Sequence, residues 1–434
     1  MAFIYRFLNN QLSAGLPPVA IEPPMISLES ALAYILQRVV RLPARPVPIA
    51  SAPGRVTARD ITAPIDMPPF ANSAMDGFAV RRRDLAGATA KNPRLLAVVG
   101  EARAGRQSKQ QLGPGEAIGI ATGAPIPPGA DAVIPIEDVR ETSRRGTTFI
   151  RVDAMPGRNQ FVRPAGGVVR KGDPVIPAGR LLGAAETALL AAMGFAAVKV
   201  YPRPRVAVIS TGDELQTLGA KPRPGKIFDC NRYSLSALLK KHGAEPILLG
   251  IAADNETALR KTLKKALADK CDFILTSGGV SMGRADLVKK ILRQEGSEVK
   301  IMRVAVRPGK PLAFGKIGKT VVFGLPGNPV SAIVSFVNFV LPALMRAQGR
   351  EEWRLPRAEA ILAEDYNHPR ERLHFARAAV TRRGKSYYAR PERDQGSGNL
   401  LSLIRSNAFL ILPIGKTPIK KGRRLAAIPF AGLL

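Results

Sequence analysis

The sequence predicts a multidomain α/β-plus-β chain organised around a mostly parallel sheet. Three observations carry this: apolar runs that each empty into a Gly/Ser/Asp turn, amphipathic helical stretches between those runs, and Gly- and Pro-rich segments with short β-branched runs elsewhere. The first run, Arg205-Val-Ala-Val-Ile-Ser210, suits a strand buried on both faces and delivers Thr211-Gly-Asp-Glu214. Arg232 to His242 reads as an amphipathic helix closed by Gly243. Pro246-Ile-Leu-Leu-Gly250 is the next strand and leads to Asp254, and Glu256 to Asp269 follows with Leu259, Leu263 and Ala266 or Leu267 at helical spacing. Cys271-Asp-Phe-Ile-Leu275 then delivers Thr276-Ser-Gly-Gly-Val-Ser-Met-Gly-Arg-Ala-Asp286.

Alternation of this kind implies right-handed crossovers, so Glu214, Asp254, Asp286 and the glycine turn share one sheet edge. Ligands of open α/β sheets bind at that edge, where Gly-rich turns let backbone N–H groups approach a phosphate. Two further turns, Arg307-Pro-Gly-Lys-Pro311 and Gly324-Leu-Pro-Gly-Asn-Pro329, answer it downstream. Asn328-Pro329 is also a good helix start, with an N-cap residue followed by Pro at the first helical position. Outside the sheet, Met25 to Val40 reads as a helix with Ser27 as N-cap and Glu29 in its first turn, and Ala184 to Met193 as a helix stopped by Gly194. Residues 51–150 read as a small β domain, and short strands and turns follow Trp353.

Composition narrows the function. The length of 434 residues suits about three domains. Two cysteines, Cys230 and Cys271, exclude a disulfide framework, and no paired Cys/His spacing supports zinc. The N-terminal residues lack a long apolar core and cleavage site, and no run reads as membrane-spanning, so a cytoplasmic protein without membrane contact is expected. The net charge of +31 attracts anions. Its Lys and Arg are scattered, without the aromatic interleaving or fold signature of nucleic-acid binding, which favours a solvated basic surface.

Asn72-Ser-Ala-Met-Asp-Gly77, Ala121-Thr-Gly-Ala-Pro125, Ser210-Thr-Gly-Asp-Glu214, Ser277-Gly-Gly-Val-Ser-Met-Gly283, Arg307-Pro-Gly-Lys-Pro311 and Gly324-Leu-Pro-Gly-Asn-Pro-Val-Ser331 stand in the order and approximate spacing of the MoeA family. The chain resembles a molybdopterin molybdenumtransferase and the E domain of gephyrin, from Ile26 to about Pro429. The resemblance implies a MogA/MoaB-like α/β domain over 201–349, a β-rich domain over 51–150, a discontinuous helical linking domain over 26–50 and 151–200, and a C-terminal β domain over 350–434.

It also implies the chemistry: adenylylated molybdopterin and molybdate as substrates, Mg²⁺ as cofactor, and molybdenum left on the dithiolene sulfurs as AMP departs. A homodimer sharing its site across subunits is implied, as are a molybdopterin adenylyltransferase-type partner and molybdoenzyme acceptors. Catalytic positions carry over to Asp76, Glu214 and Asp286; metal positions to Glu214, Asp254 and Asp286. Thr122, Ser277, Gly278, Gly279, Ser281, Pro326, Gly327 and Asn328 match molybdopterin- or phosphate-binding positions. Arg303, Arg307, Lys310, Arg372 and Ser397 match anion- or molybdate-binding positions, and Arg377 matches a position facing the site.

Two departures stand out. Arg163-Pro-Ala-Gly-Gly-Val-Val-Arg-Lys-Gly-Asp173 places Gly167 and Val168 where the family carries Glu and Asp, and Arg303 stands where Lys is usual. Cys230 replaces a usual Thr or Ser. The first departure keeps open a paralogue that binds the adenylylated ligand or molybdate without turnover. The net charge alone would support a basic scaffold or nucleic-acid-associated protein.

Overall fold

The computed structural model describes residues 24–106, 108–278, 299–350, 355–367, 371–415 and 417–434. The chain divides into two compact units: one holds the described residues up to Arg45, Gly54–Val56 and Tyr201–Leu434, the other Pro46–Pro53 and Thr57–Val200.

The first unit is built on a six-stranded sheet of β1 (Arg205–Thr211), β2 (Glu245–Ala252), β3 (Phe273–Ser277), β4 (Val299–Arg303), β5 (Pro311–Ile317) and β6 (Thr320–Leu325), in the order β2-β1-β3-β6-β5-β4. Strands β2, β1, β3 and β6 run parallel; β5 and β4 add antiparallel. β1 and β3 are almost wholly buried, as their unbroken apolar runs require. Three helices are labelled with this sheet: α1 (Leu28–Arg38), α2 (Asn231–Lys241) and α3 (Glu256–Ala268). α1 begins where Ser27 accepts from the Ser30 N–H, the expected N-cap. Ala31 and Ile35 on its apolar face join Val206, Phe314 and Leu341 in the largest core, so residues 28–38, grouped above with 151–200, pack with the α/β sheet.

The expectation that no run approaches the length of a membrane span is corrected as to length. Pro329–Ala347 form α4, a 19-residue helix with mean hydropathy 1.7, long and apolar enough to cross a membrane, but 89% of that window is buried. It is a core helix of this unit. It widens to π geometry over Phe336–Val340, where the Leu341 N–H reaches back to Phe336 O. Pro342 follows, and its ring has no N–H and collides with the carbonyl four residues earlier, so the helix opens there.

The same unit ends in a β barrel. Strands Leu373–Arg383, Ser386–Pro391, Ala358–Leu362, Arg424–Pro429 and Ala408–Leu412 pair in that order, and Ala408–Leu412 pairs back onto Leu373–Arg383 to close the ring. Val306–Arg307 pairs alongside Leu373–His374.

The second unit carries a six-stranded sheet ordered Ala132–Pro135, Gly77–Val80, Glu116–Ile120, Arg94–Ala102, Thr147–Val152, Val139–Arg144. Helix Ala184–Ala192 packs Leu190 with Ile61, Ile176 and Val200 in a separate core.

Candidate active site

At the carboxyl edge of β1, β3 and β6 lies a cavity of about 610 Å³, lined by Thr211, Glu214, Gly278, Pro326, Gly327 and Asn328 among others. Two glycine turns form its floor. Gly278 has φ +95°, and a Cβ there would lie 2.3 Å from Thr211 O, so no other residue fits without moving the backbone. A Cβ on Gly327 would lie 3.7 Å from Gly278 Cα, which puts the two turns in contact. Gly279, Ser281 and Asp286 lie outside the described residues.

The turns are held by residues the sequence reading missed. Asn231, the first residue of α2, donates from Nδ2 to Ser277 Oγ at 2.7 Å and to Gly327 O at 2.6 Å. Ser277 is buried and its hydroxyl accepts from Asn231, which gives the side chain a scaffold role. Asp229 is buried beside it, accepting from Ser210 Oγ at 2.8 Å and paired with Arg232 Nε at 3.1 Å. Phe-Asp-Cys-Asn-Arg carried the only signal, a polar run just before a helix. Cys230 lines the cavity, and burial raises its thiol pKa above the ordinary value.

Acidic groups sit at the same edge. The Asp213 N–H donates to Asp254 Oδ2 at 3.3 Å and the Asp254 N–H to Asp213 Oδ1 at 3.1 Å, which joins the turn after β1 to the one after β2. The N-cap of α3 is Asn255, whose side chain accepts from Ala258 N, so the Asp254 carboxylate is not the cap. Among the described residues no three His, Cys, Asp or Glu side chains are grouped to hold a metal. Mg²⁺ commonly takes one or two carboxylates and completes its shell with phosphate oxygens and water. Glu214 lines the cavity, and Asp254 sits on the neighbouring turn joined to Asp213, so both offer carboxylates of the type such a set uses.

Ser397 meets the floor from the barrel. Its hydroxyl accepts from Asn328 Nδ2 at 2.9 Å and its carbonyl from the Val330 N–H at 3.0 Å. Asn328 precedes α4 as expected, yet its side chain goes to Ser397 and does not cap the helix. Arg303, Arg307, Lys310 and Arg372 are half-buried and do not line this cavity. Arg307 pairs with the strand that Arg372 leads into, and burial together with the Arg307 charge lowers the Arg372 pKa. Lys310 accepts from the Val304 N–H at its carbonyl, on the turn between β4 and β5. Arg377 is corrected: it is wholly buried and faces the barrel interior's polar loop, with no exposed surface to offer a ligand.

In the second unit Asp76 is exposed at the start of strand Gly77–Val80. A Cβ on Gly77 would lie 2.0 Å from Ile134 O, so this glycine is needed for the strand to approach its neighbour. Asp76 Oδ1 accepts from the Thr122 backbone N–H at 2.7 Å, which brings two of the expected site residues together. Gly167 and Val168 lie on an exposed turn in which the Gly167 N–H donates to Pro164 O at 3.1 Å and the Val168 N–H to Met67 O at 2.9 Å; in the turn that follows, Arg170 N donates to Asp173 at 2.9 Å and Lys171 N to Asp66 at 2.8 Å.

Residues 26–194 match the MoeA N-terminal region (domain I and II), residues 207–346 a probable molybdopterin binding domain, and residues 359–430 the MoeA C-terminal region (domain IV). A Nostoc sp. protein named molybdopterin molybdenumtransferase is 40% identical over 410 residues, covering 92% of this chain and 93% of the relative. The chain belongs to the MoeA family. A molybdopterin molybdenumtransferase of Haemophilus influenzae is 37% identical over 395 residues, 89% of this chain and 94% of the relative. The crystal structure of the molybdopterin biosynthesis MoeA protein from Pyrococcus horikosii superimposes with a TM-score of 0.79 at 34% identity, over 94% of this chain and 99% of that one. The expected MoeA architecture, a central α/β domain and a C-terminal β domain here closed into a barrel, is therefore borne out.

Proposed function

We propose that this MoeA-family chain acts in molybdenum cofactor biosynthesis as a molybdopterin molybdenumtransferase. It takes adenylylated molybdopterin and molybdate, and leaves molybdenum on the dithiolene sulfurs as AMP departs. The observation that carries the reading is the cavity floor, where Gly278 and Gly327 meet under the clamp of Asn231. Side-chain-free turns at a parallel sheet edge are what a phosphoanhydride needs from a protein, because backbone N–H groups can then reach its oxygens.

The chain's own residues divide the remaining work. Asn328 and Ser397 form a polar wall beside the floor, and Arg307, Lys310 and Arg372 supply positive charge for an incoming oxyanion. Glu214 and Asp254 would hold Mg²⁺, which when bound offsets negative charge on the phosphoanhydride. Asp76, fixed by the Thr122 N–H, presents an exposed carboxylate in the other unit. The family resemblance supports a homodimer in which a second copy completes the site, and a cytoplasmic location.

The test is to incubate purified protein with adenylylated molybdopterin, molybdate and Mg²⁺ and to measure free AMP. A second reading, a non-catalytic paralogue, is favoured by one observation: Val168 is 73% exposed at a position where the family carries a carboxylate. Tight ligand binding with no AMP release would select it.

A further inference from the structure

Arg377, wholly buried in the barrel, has no surface from which to bind a ligand, yet it reaches the cavity through a chain of contacts. Arg377 Nε donates to Ser402 Oγ at 2.9 Å, and Nη2 donates to Gly396 O at 2.9 Å and Asp394 O at 3.4 Å. Its backbone joins in: Gln395 Oε1 accepts from the Arg377 N–H at 3.0 Å, and Gln395 Nε2 donates to Arg377 O at 2.9 Å and to Glu392 O at 2.8 Å. Ser402 passes the restraint on, donating to Asn399 O at 2.6 Å.

Both sides of Ser397 are therefore pinned, Gly396 by the guanidinium and Asn399 through Ser402. Ser397 in turn holds Asn328 and Val330, and Gly398 lines the cavity. Burying a guanidinium costs several kcal/mol in desolvation, a cost that a barrel core without specific need of it would avoid with an apolar side chain. Nε and Nη2 of the guanidinium reach these three acceptors together, which the single nitrogen of a lysine ammonium on a flexible stem does not reproduce.

We infer that Arg377 is a positioning residue for the active site: it fixes segment Glu392–Asn399 so that Ser397 presents its hydroxyl and carbonyl to Asn328 and Val330. The choice of ligand below rests on the proposed transferase function; the contact chain does not.

The experiment is a double-mutant cycle of Arg377→Lys and Ser397→Ala, read by AMP titration and by hydrogen exchange of the Val330 amide, which Ser397 O protects. Arg377→Lys is expected to weaken AMP binding about ten-fold, the loss that goes with displacing one hydrogen bond to a charged group. Adding Ser397→Ala should then change affinity by less than about two-fold, because both changes act through one element. Exchange should accelerate at Val330 and across 392–400 while amides of β1 and β3 keep wild-type rates.

Unchanged AMP affinity and unchanged Val330 exchange in Arg377→Lys would overturn the inference, and so would losses that multiply in the double variant. If wild type does not bind AMP, the transferase reading fails, and Val330 exchange alone decides the role of Arg377. If Arg377→Lys does not fold, Gln395→Leu cuts the second anchor of the same segment and must deprotect Val330; protection at the wild-type level would contradict the assignment.

Discussion

The side-chain amide of Asn231 donates to Ser277 Oγ at 2.7 Å, and its other contact, 2.6 Å to Gly327 O, ties the end of β3 to the turn after β6. One residue at the start of α2 thus sets the spacing of both glycine turns. The floor of the cavity is a product of this buried clamp as much as of the glycines themselves.

Replacing Asn231 by Ala leaves Ser277 Oγ and Gly327 O without that donor. The expected cost is about 1–3 kcal/mol of stability for the buried polar groups left unsatisfied. Urea unfolding measures it, and AMP affinity should fall in parallel. Asn231→Asp should fare worse than Asn231→Ala, because it brings a buried negative charge against the Gly327 carbonyl oxygen, which can only accept.

Gly278→Ala tests the close approach of the turns. Its φ of +95° disfavours any L side chain, and the new methyl would sit 2.3 Å from Thr211 O. Local strain of about 1–3 kcal/mol is expected, with loss of AMP binding exceeding the loss of stability. Wild-type affinity in this variant would show that the floor does not hold the phosphate.

Lys310→Ala removes a cation on the turn between β4 and β5. Loss of a charge-assisted contact to phosphate or molybdate costs about 1.5–3 kcal/mol, roughly 10- to 150-fold in affinity. Titration with AMP and with molybdate separately tells which anion it serves. Unchanged affinity for both, with unchanged activity, would remove Lys310 from the site.

Much of this was legible before any coordinates. β-branched apolar runs such as the one over Arg205–Ser210 suit strands buried on both faces, Ser27 starts its helix as its side chain dictates, and glycine turns announce close backbone approach. What stayed hidden depends on distance in sequence. Asn231 meets Ser277 and Gly327 across 46 and 96 residues, and Asn328 meets Ser397 across 69, so no local pattern marks them. Arg377 shows the converse failure: a family position suggested a ligand contact, whereas burial turned the side chain inward. The Pro329–Ala347 helix was read only over its first turns because Asn338 and Pro342 interrupt its apolar run.

Restoring the family pattern with Gly167→Glu and Val168→Asp addresses the departure. Val168 is 73% exposed, so Asp is accommodated without burial; a Cβ at Gly167 lies 3.1 Å from both the Pro164 ring and Pro164 O, so the turn backbone must give by a few tenths of an ångström as well. If Asp76 and the carboxylates of the sheet edge already suffice, wild type is active and the double variant is neutral or slower. A clear rise in AMP release with ligand affinity unchanged within a few-fold would instead assign the missing pair a transition-state role.

His242 makes a pH prediction. Burial lowers its pKa below the ordinary 6.5, although its Nε2 lies 2.9 Å from Leu433 O. The unfolded chain then binds the proton more readily than the folded one, so stability is full above about 6.5 and falls as pH drops from there through the lower folded value. Thermal melts from pH 8 to pH 5 should show that decline, and His242→Gln should flatten it.

The most direct test of the whole account follows both products of the reaction together. Protein is mixed with adenylylated molybdopterin, molybdate and Mg²⁺; AMP is quantified by chromatography, and molybdenum retained with the pterin by elemental analysis after gel filtration. The account predicts equimolar AMP and molybdenum, with both lost when molybdate or the divalent ion is left out. Adenylylated molybdopterin recovered intact from tight complex, with no AMP and no molybdenum transferred, would contradict it.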